Sequence, residues 1–222
     1  MLDAALQMAN YSAVRPHLHL GQAVPSPVPS YLQPLDKTLR SKRPDIIPHR
    51  KQKESETMIS AEYCRLMSRY NTWQNTSLVT AADGLTEIAR HKDRGAFFKS
   101  IAATLNHLYW ADALILQRLK GNERPEKTIT HSLTSPSDWN EFKALRSKRD
   151  EEIEEWAARL GDADLDGMVI WYPGDGSTRI EKPKTLCAAE LFNHQTHHRG
   201  QIHAMLTAAA AEPEPTDLSM LP

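Results

Sequence analysis

Two cysteines in 222 residues, Cys64 and Cys187, are too few for a disulfide scaffold or a cysteine-rich zinc knuckle, and they fit a reducing cytoplasm. No stretch approaches the ~20 consecutive apolar residues that a membrane-spanning helix needs, so we expect no membrane insertion. Residues 1–10 carry Asp3 and lack both a basic flank and a long apolar run, which makes them a poor secretion signal. Neither sign of charge dominates: 27 Lys and Arg stand against 28 Asp and Glu, and the formal net charge of -1 gives no global field to hold a polyanion. The glycines of Gly161-Asp162 and Asp175-Gly176 mark turns, and no phosphate-cradling glycine pattern follows a strand. What is present is a 40% hydrophobic fraction, enough for the core of one ordinary domain, and ten histidines.

The chain changes character near residue 58. Residues 1–57 hold half of the 14 prolines and eight Lys or Arg against five Asp or Glu, leaving the body mildly acidic. They are expected to be a poorly structured extension, or one that wraps the domain or a neighbouring subunit. Met58 is a candidate natural start. From there the pattern is helical. Ser60 is placed to cap a first helix carrying Tyr63, Leu66, Met67, Tyr70, Trp73 and Leu78 up to Asp83-Gly84. A second is expected over 95–119, ending at Gly121-Asn122, and a long loop over 121–136. A third, capped by Ser137 or Asp138, runs to Arg159 with Trp139, Phe142, Leu145, Ile153 and Trp156 on its apolar face. Residues 169–172 favour a strand, 173–176 a turn and 178–180 a returning strand, which predicts a short hairpin or structured crossover. Pro183 then suits the first turn of a fourth helix ending near Ala211. The predicted fold is an all-α four-helix bundle over 58–211, with an irregular tail over 212–222.

The strongest local signal lies on the fourth helix. His194 and His198 are four residues apart, so their imidazoles share a face and can converge on one metal ion. They extend the stripe of Cys187, Leu191, Ile202 and Met205, which should enter the bundle, where an unpartnered imidazole is costly. A metal relieves that cost; a satisfied core or interface pair is the alternative that spacing leaves open. The second helix offers a third ligand in His107, with Ala103 and Ala111 four residues to either side leaving room for a ligand cavity. Three neutral imidazoles leave a coordination position free, as reactive sites require. Asp112 lies on the apolar stripe Ile101, Leu105, Leu108, Ile115, Leu119. It is a candidate partner for a ligand histidine's second N–H or a candidate base; a salt bridge to Arg65, Arg69 or Arg199 is the competing reading.

The run Asn106-His107-Leu108-Tyr109-Trp110-Ala111-Asp112, with Asn193-His194-Gln195-Thr196-His197-His198-Arg199-Gly200-Gln201 late in the chain and Tyr70-Asn71-Thr72-Trp73 near the start of the domain, resembles the DinB-like damage-inducible proteins, also described as metal-dependent hydrolases. The resemblance covers roughly residues 58–221. It implies a homodimeric four-helix bundle holding one divalent ion per chain, nickel or zinc, through His107, His194 and His198. Related members of the larger superfamily activate low-molecular-weight thiols such as bacillithiol, mycothiol or glutathione. A thiol-dependent transferase is therefore the first functional expectation, a metal-dependent hydrolase the second, and a non-enzymatic metal-binding dimer the third. A hydrolase needs a base beside the metal water, and a thiol transferase a polar groove to which Tyr70, Asn71, Trp73, Asn106 and Arg199 are candidate contributors.

Other patterns carry less. Asp162-Ala163-Asp164-Leu165-Asp166-Gly167 imitates half of a calcium loop, but its twelfth position is Pro173 where a bidentate Glu is required. Cys187 reads first as a small buried hydrophobe and second as a catalytic thiol. The acidic body, without basic and aromatic interleaving, argues against nucleic acid.

Overall fold

The computed structural model describes residues 58–121, 129–172 and 178–222; the expectations for residues 1–57 and for the turn at 173–176 lie outside the described residues. Four long helices form an all-α bundle: α1 (Ala61–Asp83), α3 (Ile101–Lys120), α5 (Trp139–Arg159) and α6 (Lys184–Thr207), joined by the short helices α2 (Glu87–His91) and α4 (Ile129–Ser132). α3 packs on α6, and α1 on both α5 and α6. The crossover into α6 is an antiparallel pair, β1 (Met168–Trp171) with β2 (Ile180–Pro183), in register from Met168 opposite Pro183 to Trp171 opposite Ile180. Val169 is its buried residue, and the Arg118 guanidinium lies 4.6 Å from the Trp171 ring, tying the pair to α3. No described helix is long and apolar enough to cross a membrane.

Local chemistry sets the helix starts. Ser60 Oγ accepts from Tyr63 N at 3.1 Å, and Asp138 Oδ1 accepts from Glu141 N at 2.7 Å, so both expected caps are used. Asp162, from the calcium-like run, accepts from Ala61 N at 2.7 Å and adds an anion to the N-terminus of α1. The returning strand runs on to Pro183, which therefore precedes α6 instead of lying in its first turn, and two helix boundaries also depart from expectation. The second long helix starts at Ile101, not at residue 95, because Gly95 (φ 76°) and Lys99 (φ 71°) adopt left-handed backbone in a tight turn, and Ser100 Oγ then caps α3. The last helix stops at Thr207, after which Ala210 (φ 60°) reverses the chain. The C-terminal segment then runs back along α1: Tyr70 donates to Thr216 O, Gln74 to Pro215 O at 2.9 Å, and Trp73 Nε1 to Glu214 at 2.7 Å.

Two apolar clusters fill the bundle. One is built on Cys64, Tyr70, Leu116, Ile153, Trp156, Leu191 and Phe192, the other on Leu78, Leu105, Leu108, Phe142, Ile202 and Leu206. Along each long helix the residues between the two are polar and buried: Asn71, Gln74 and Asn75 on α1, Asp112 on α3, Arg146 and Asp150 on α5, Gln195 and Arg199 on α6. The bundle is therefore apolar at both ends and carries a charged layer at its waist.

Candidate metal centre

His107 lies on a different face of α3 from the core residues Leu105, Leu108 and Leu116; it shares its side with Trp110, Ala111 and Leu114, which form a separate small apolar cluster. That face meets α6 where His194 and His198 project one turn apart. His107 and His198 are buried and His194 is half-buried. Their Nε2 atoms converge: His107 to His194 is 3.3 Å, His198 to His194 is 3.2 Å, and the ligand atoms of all three lie within 4.8 Å of one another. Nitrogens bound at tetrahedral angles 2.0–2.1 Å from one ion stand about 3.3 Å apart. Two of the three spacings thus match a shared cation, and the third pair lies within 4.8 Å. All-nitrogen ligation by neutral rings suits zinc or nickel better than calcium or magnesium.

The electrostatics agree with the geometry. Burial, and then the neighbouring rings, hold His107 down to about 2; burial and a neighbouring imidazole hold His194 and His198 each down to about 4. All three are neutral near pH 7, the form that ligates. Phe98, from the tight turn before α3, lies over the cluster, its ring centroid 4.0 Å from that of His107 and 5.5 Å from that of His198. His198 Nδ1 donates to Gln201 Oε1 at 2.8 Å, whereas Nδ1 of His107 and of His194 have no hydrogen-bond partner.

Asp112 sits in the charged layer. Its Oδ2 accepts from Arg146 and from Gln195, while Oδ1 has no hydrogen-bond partner. The ion pair is made by Arg146 of α5 and not by the expected Arg65, Arg69 or Arg199; Arg65 instead donates to Leu160 O. Arg146 also grips Asp150 at 2.7 Å, Asn75 donates to Asp150 at 2.8 Å, and Arg199 donates to Gln195 Oε1 at 3.1 Å and to Asn71. Burial drives the Asp112 carboxyl up and Asp150 up to about 6, and brings Arg199 down to about 10, with the opposite charges working against each shift.

The residues expected at a substrate groove are engaged elsewhere. Tyr70 and Trp73 hold the C-terminal segment, Asn71 and Arg199 belong to the charged layer, and Asn106 donates to Leu133 O and Pro136 O. Cys187 is buried two turns before His194, and burial pushes its thiol up, opposite to what a nucleophile needs. A cavity of about 810 Å³ opens between α1 and the C-terminal segment, lined by Trp73, Thr80, Leu85 and Glu214 among others, with no histidine in its wall. Phe98, Gln195 and Gln201 are site neighbours that the fold reveals. Gln201 had a signal, since it lies three residues after His198 on the same helix; Phe98 had none, because its contact depends on the turn.

Against known proteins, the model of the DinB family matches residues 55–222. The chain belongs to the DinB family. It is similar to "Protein DinB" of Bacillus subtilis (strain 168), 25% identical over 170 residues that cover 72% of this chain and 94% of the relative. In fold it is similar to the crystal structure of a DinB-like protein from Bacillus cereus ATCC 10987, with a TM-score of 0.50 and 19% identity over 65% of this chain and 91% of that one. The DinB family match takes in all four long helices and all three clustered histidines. Within that DinB frame the cluster is the only grouping of three or more His, Cys, Asp or Glu able to hold a metal among the described residues.

Proposed function

We propose that this DinB-family chain is a metal-dependent enzyme that uses His107, His194 and His198 to hold one divalent ion, zinc or nickel, and activates a low-molecular-weight thiol for transfer to an electrophile. The observation that carries the reading is the convergence of three neutral Nε2 atoms at 3.2–3.3 Å steps with no carboxylate among them. A divalent cation on three neutral rings keeps its full charge and lowers the proton affinity of a thiol or water placed on it. Thiol activation needs no further base, because a thiol is already acidic enough to ionise under that charge. Water activation is helped by a base, and Asp112, whose Oδ2 is taken up by Arg146 and Gln195, is poorly available for it. The chain's own part is to keep the rings unprotonated and in place, with Phe98 shielding one side. A homodimer acting in the cytoplasm completes the proposal, resting on the family resemblance and on two cysteines that form no disulfide with each other.

One observation favours hydrolysis as the second reading. Glu190 lies one turn before His194 on the same helix, exposed at the surface yet desolvated enough that its carboxyl is raised, as suits a base or acid. The test begins with elemental analysis of protein purified without a histidine tag, expected to give one zinc or nickel per chain. Bacillithiol, mycothiol and glutathione are then offered with a thiol-accepting electrophile, and activated esters are offered without thiol. Thiol-dependent consumption of the electrophile that vanishes in His107→Ala supports the first reading. Ester cleavage without thiol, lost in Glu190→Gln, replaces it with the second. Protein without stoichiometric metal removes both.

A further inference from the structure

We propose that Gln201 is a positioning residue that fixes the tautomer and orientation of His198 toward the metal. The proposal rests on the reading of the histidine cluster as a metal centre. A neutral imidazole has one N–H and one lone pair, and the hydrogen bond made by one nitrogen decides which of the two the other presents. Gln201 Oε1 can only accept, so the 2.8 Å contact makes His198 Nδ1 the donor and leaves the lone pair on Nε2, the atom 3.2 Å from His194 Nε2.

The amide itself is oriented from its other end. Gln201 Nε2 lies 3.3 Å from Nε2 of His197, which offers the amide's NH2 group a lone pair. With oxygen toward His198 and nitrogen toward His197, His198 keeps on Nε2 the lone pair that a metal requires, whereas the flipped amide would put the proton on Nε2, so metal ligation selects the observed arrangement. All three residues are on α6, with Gln201 four residues after His197 and three after His198, so one helix face sets the geometry before any partner helix arrives. His198 alone has this support: the second nitrogens of His107 and His194 have no hydrogen-bond partner. His107 is positioned by packing under Phe98. Gln201 therefore anchors the one ring of the three whose lone pair is directed by a hydrogen bond. A partner of this kind strengthens the ligand's basicity as well as its aim.

The test compares full-length wild type with Gln201→Leu and Gln201→Glu. Leucine keeps the side-chain bulk and the helix but removes the acceptor; glutamate keeps an acceptor for Nδ1–H. Zinc dissociation constants are measured by chelator competition, cobalt(II) absorption in the visible reads ligand geometry, and thermal melting of metal-stripped protein reads the fold. Gln201→Leu is expected to weaken zinc about 10- to 100-fold, as loss of such a partner does elsewhere. Its cobalt spectrum should change while metal-stripped melting stays within about 2 °C, as for a surface substitution. Gln201→Glu should restore zinc affinity and the cobalt spectrum. If wild type binds zinc stoichiometrically and Gln201→Leu matches it within threefold, the role assigned to Gln201 is wrong and the metal centre stands. If glutamate fails to restore what leucine loses, the loss came from packing and the acceptor role is overturned. If wild type binds no zinc, the metal-centre reading fails first and takes this proposal with it.

Discussion

Two polar regions share α3 and α6, a charged layer drawn from all four long helices and the histidine cluster, and they treat their buried groups in opposite ways. In the charged layer, Asp112, Arg146, Asp150, Asn75, Gln195, Arg199 and Asn71 bring opposite charges and complementary donors together, so that only Asp112 Oδ1 and Asn71 Nδ2 lack a partner. In the histidine cluster, like faces like: three ring nitrogens point at one another, and two of the three rings have a second nitrogen with no partner. A buried polar group left without a partner costs free energy, and chains retain such groups where something else completes them. Apart from Asp112 Oδ1 and Asn71 Nδ2 the layer pairs its charges with opposite charges and its donors with acceptors, and it reads as architecture. In the cluster three Nε2 atoms of neutral rings converge with no opposite charge among them, a lack that a cation at their meeting point would make good, and it reads as a site.

The largest contrast is expected from breaking each region once. Asp112→Ala leaves Arg146 with one carboxylate in place of two and strips Gln195 of its acceptor. Cutting one partner from a buried charge network costs about 3–5 kcal/mol, so urea denaturation should show a sharply lower midpoint, whatever metal is present. His107→Ala should lose stoichiometric zinc while the unfolding free energy of the metal-stripped protein stays within about 1 kcal/mol of wild type. What disappears is the ligand's own stabilisation, about 2.7 kcal/mol at a free concentration 100 times the dissociation constant. Equal losses of fold in the two variants would erase the distinction between the regions.

Acid separates them next. In metal-stripped protein His194 and His198 are held down to about 4 against an ordinary value of 6.5, and His107 lower still. Between those values the unfolded chain binds more protons than the folded one, so their contribution is fully present above about pH 6.5 and is lost as pH falls toward 4. Asp150 runs the other way: raised to about 6 from 3.8, it contributes most below 3.8 and loses that contribution as pH rises through 6. Melting of the metal-stripped protein should therefore fall between pH 6.5 and 4.5, and His194→Leu combined with His198→Leu should flatten that fall. A wild type with no acid sensitivity in this window would mean that the rings are not buried as neutral groups.

How much of this was readable in advance follows the same division. The inward stripe of α6 and the alanine-flanked His107 were visible because helical periodicity is a local property, and the two rings the stripe selected are those the fold brings together with His107. The caps at Ser60 and Asp138 were visible for the same reason. The charged layer was not. Asp112 looked out of place on an apolar stripe, but its partners Arg146 and Gln195 lie 34 and 83 residues away, and no local pattern ranks them above Arg65 or Arg69. The start of α3 was misread because a five-residue pattern cannot announce that Lys99 takes positive φ, and that turn is what delivers Phe98 to the cluster.

The smallest expected effect tests that delivery. Phe98 shares no hydrogen bond with His107; its ring lies 4.0 Å away at an angle of 32°, and the Nδ1 of His107 has no other group to fix the imidazole plane. An aromatic contact of this kind contributes about 0.5–1.5 kcal/mol beyond area burial, which is roughly a 2- to 12-fold change in a binding constant. Phe98→Ala should weaken zinc within that range, and Phe98→Trp should recover most of it, since the contact asks for a flat face and not for a specific donor. The same alanine variant should leave the cobalt(II) band position unchanged, because His107 still ligates through the same nitrogen with more freedom about it. That separates packing from hydrogen-bonded positioning: loss of the Gln201 acceptor alters which nitrogen His198 presents, whereas loss of Phe98 alters only how tightly His107 is held. A band shift in Phe98→Ala would show that the turn dictates coordination geometry itself, giving this aromatic contact a role equal to that of the hydrogen bond on the opposite helix.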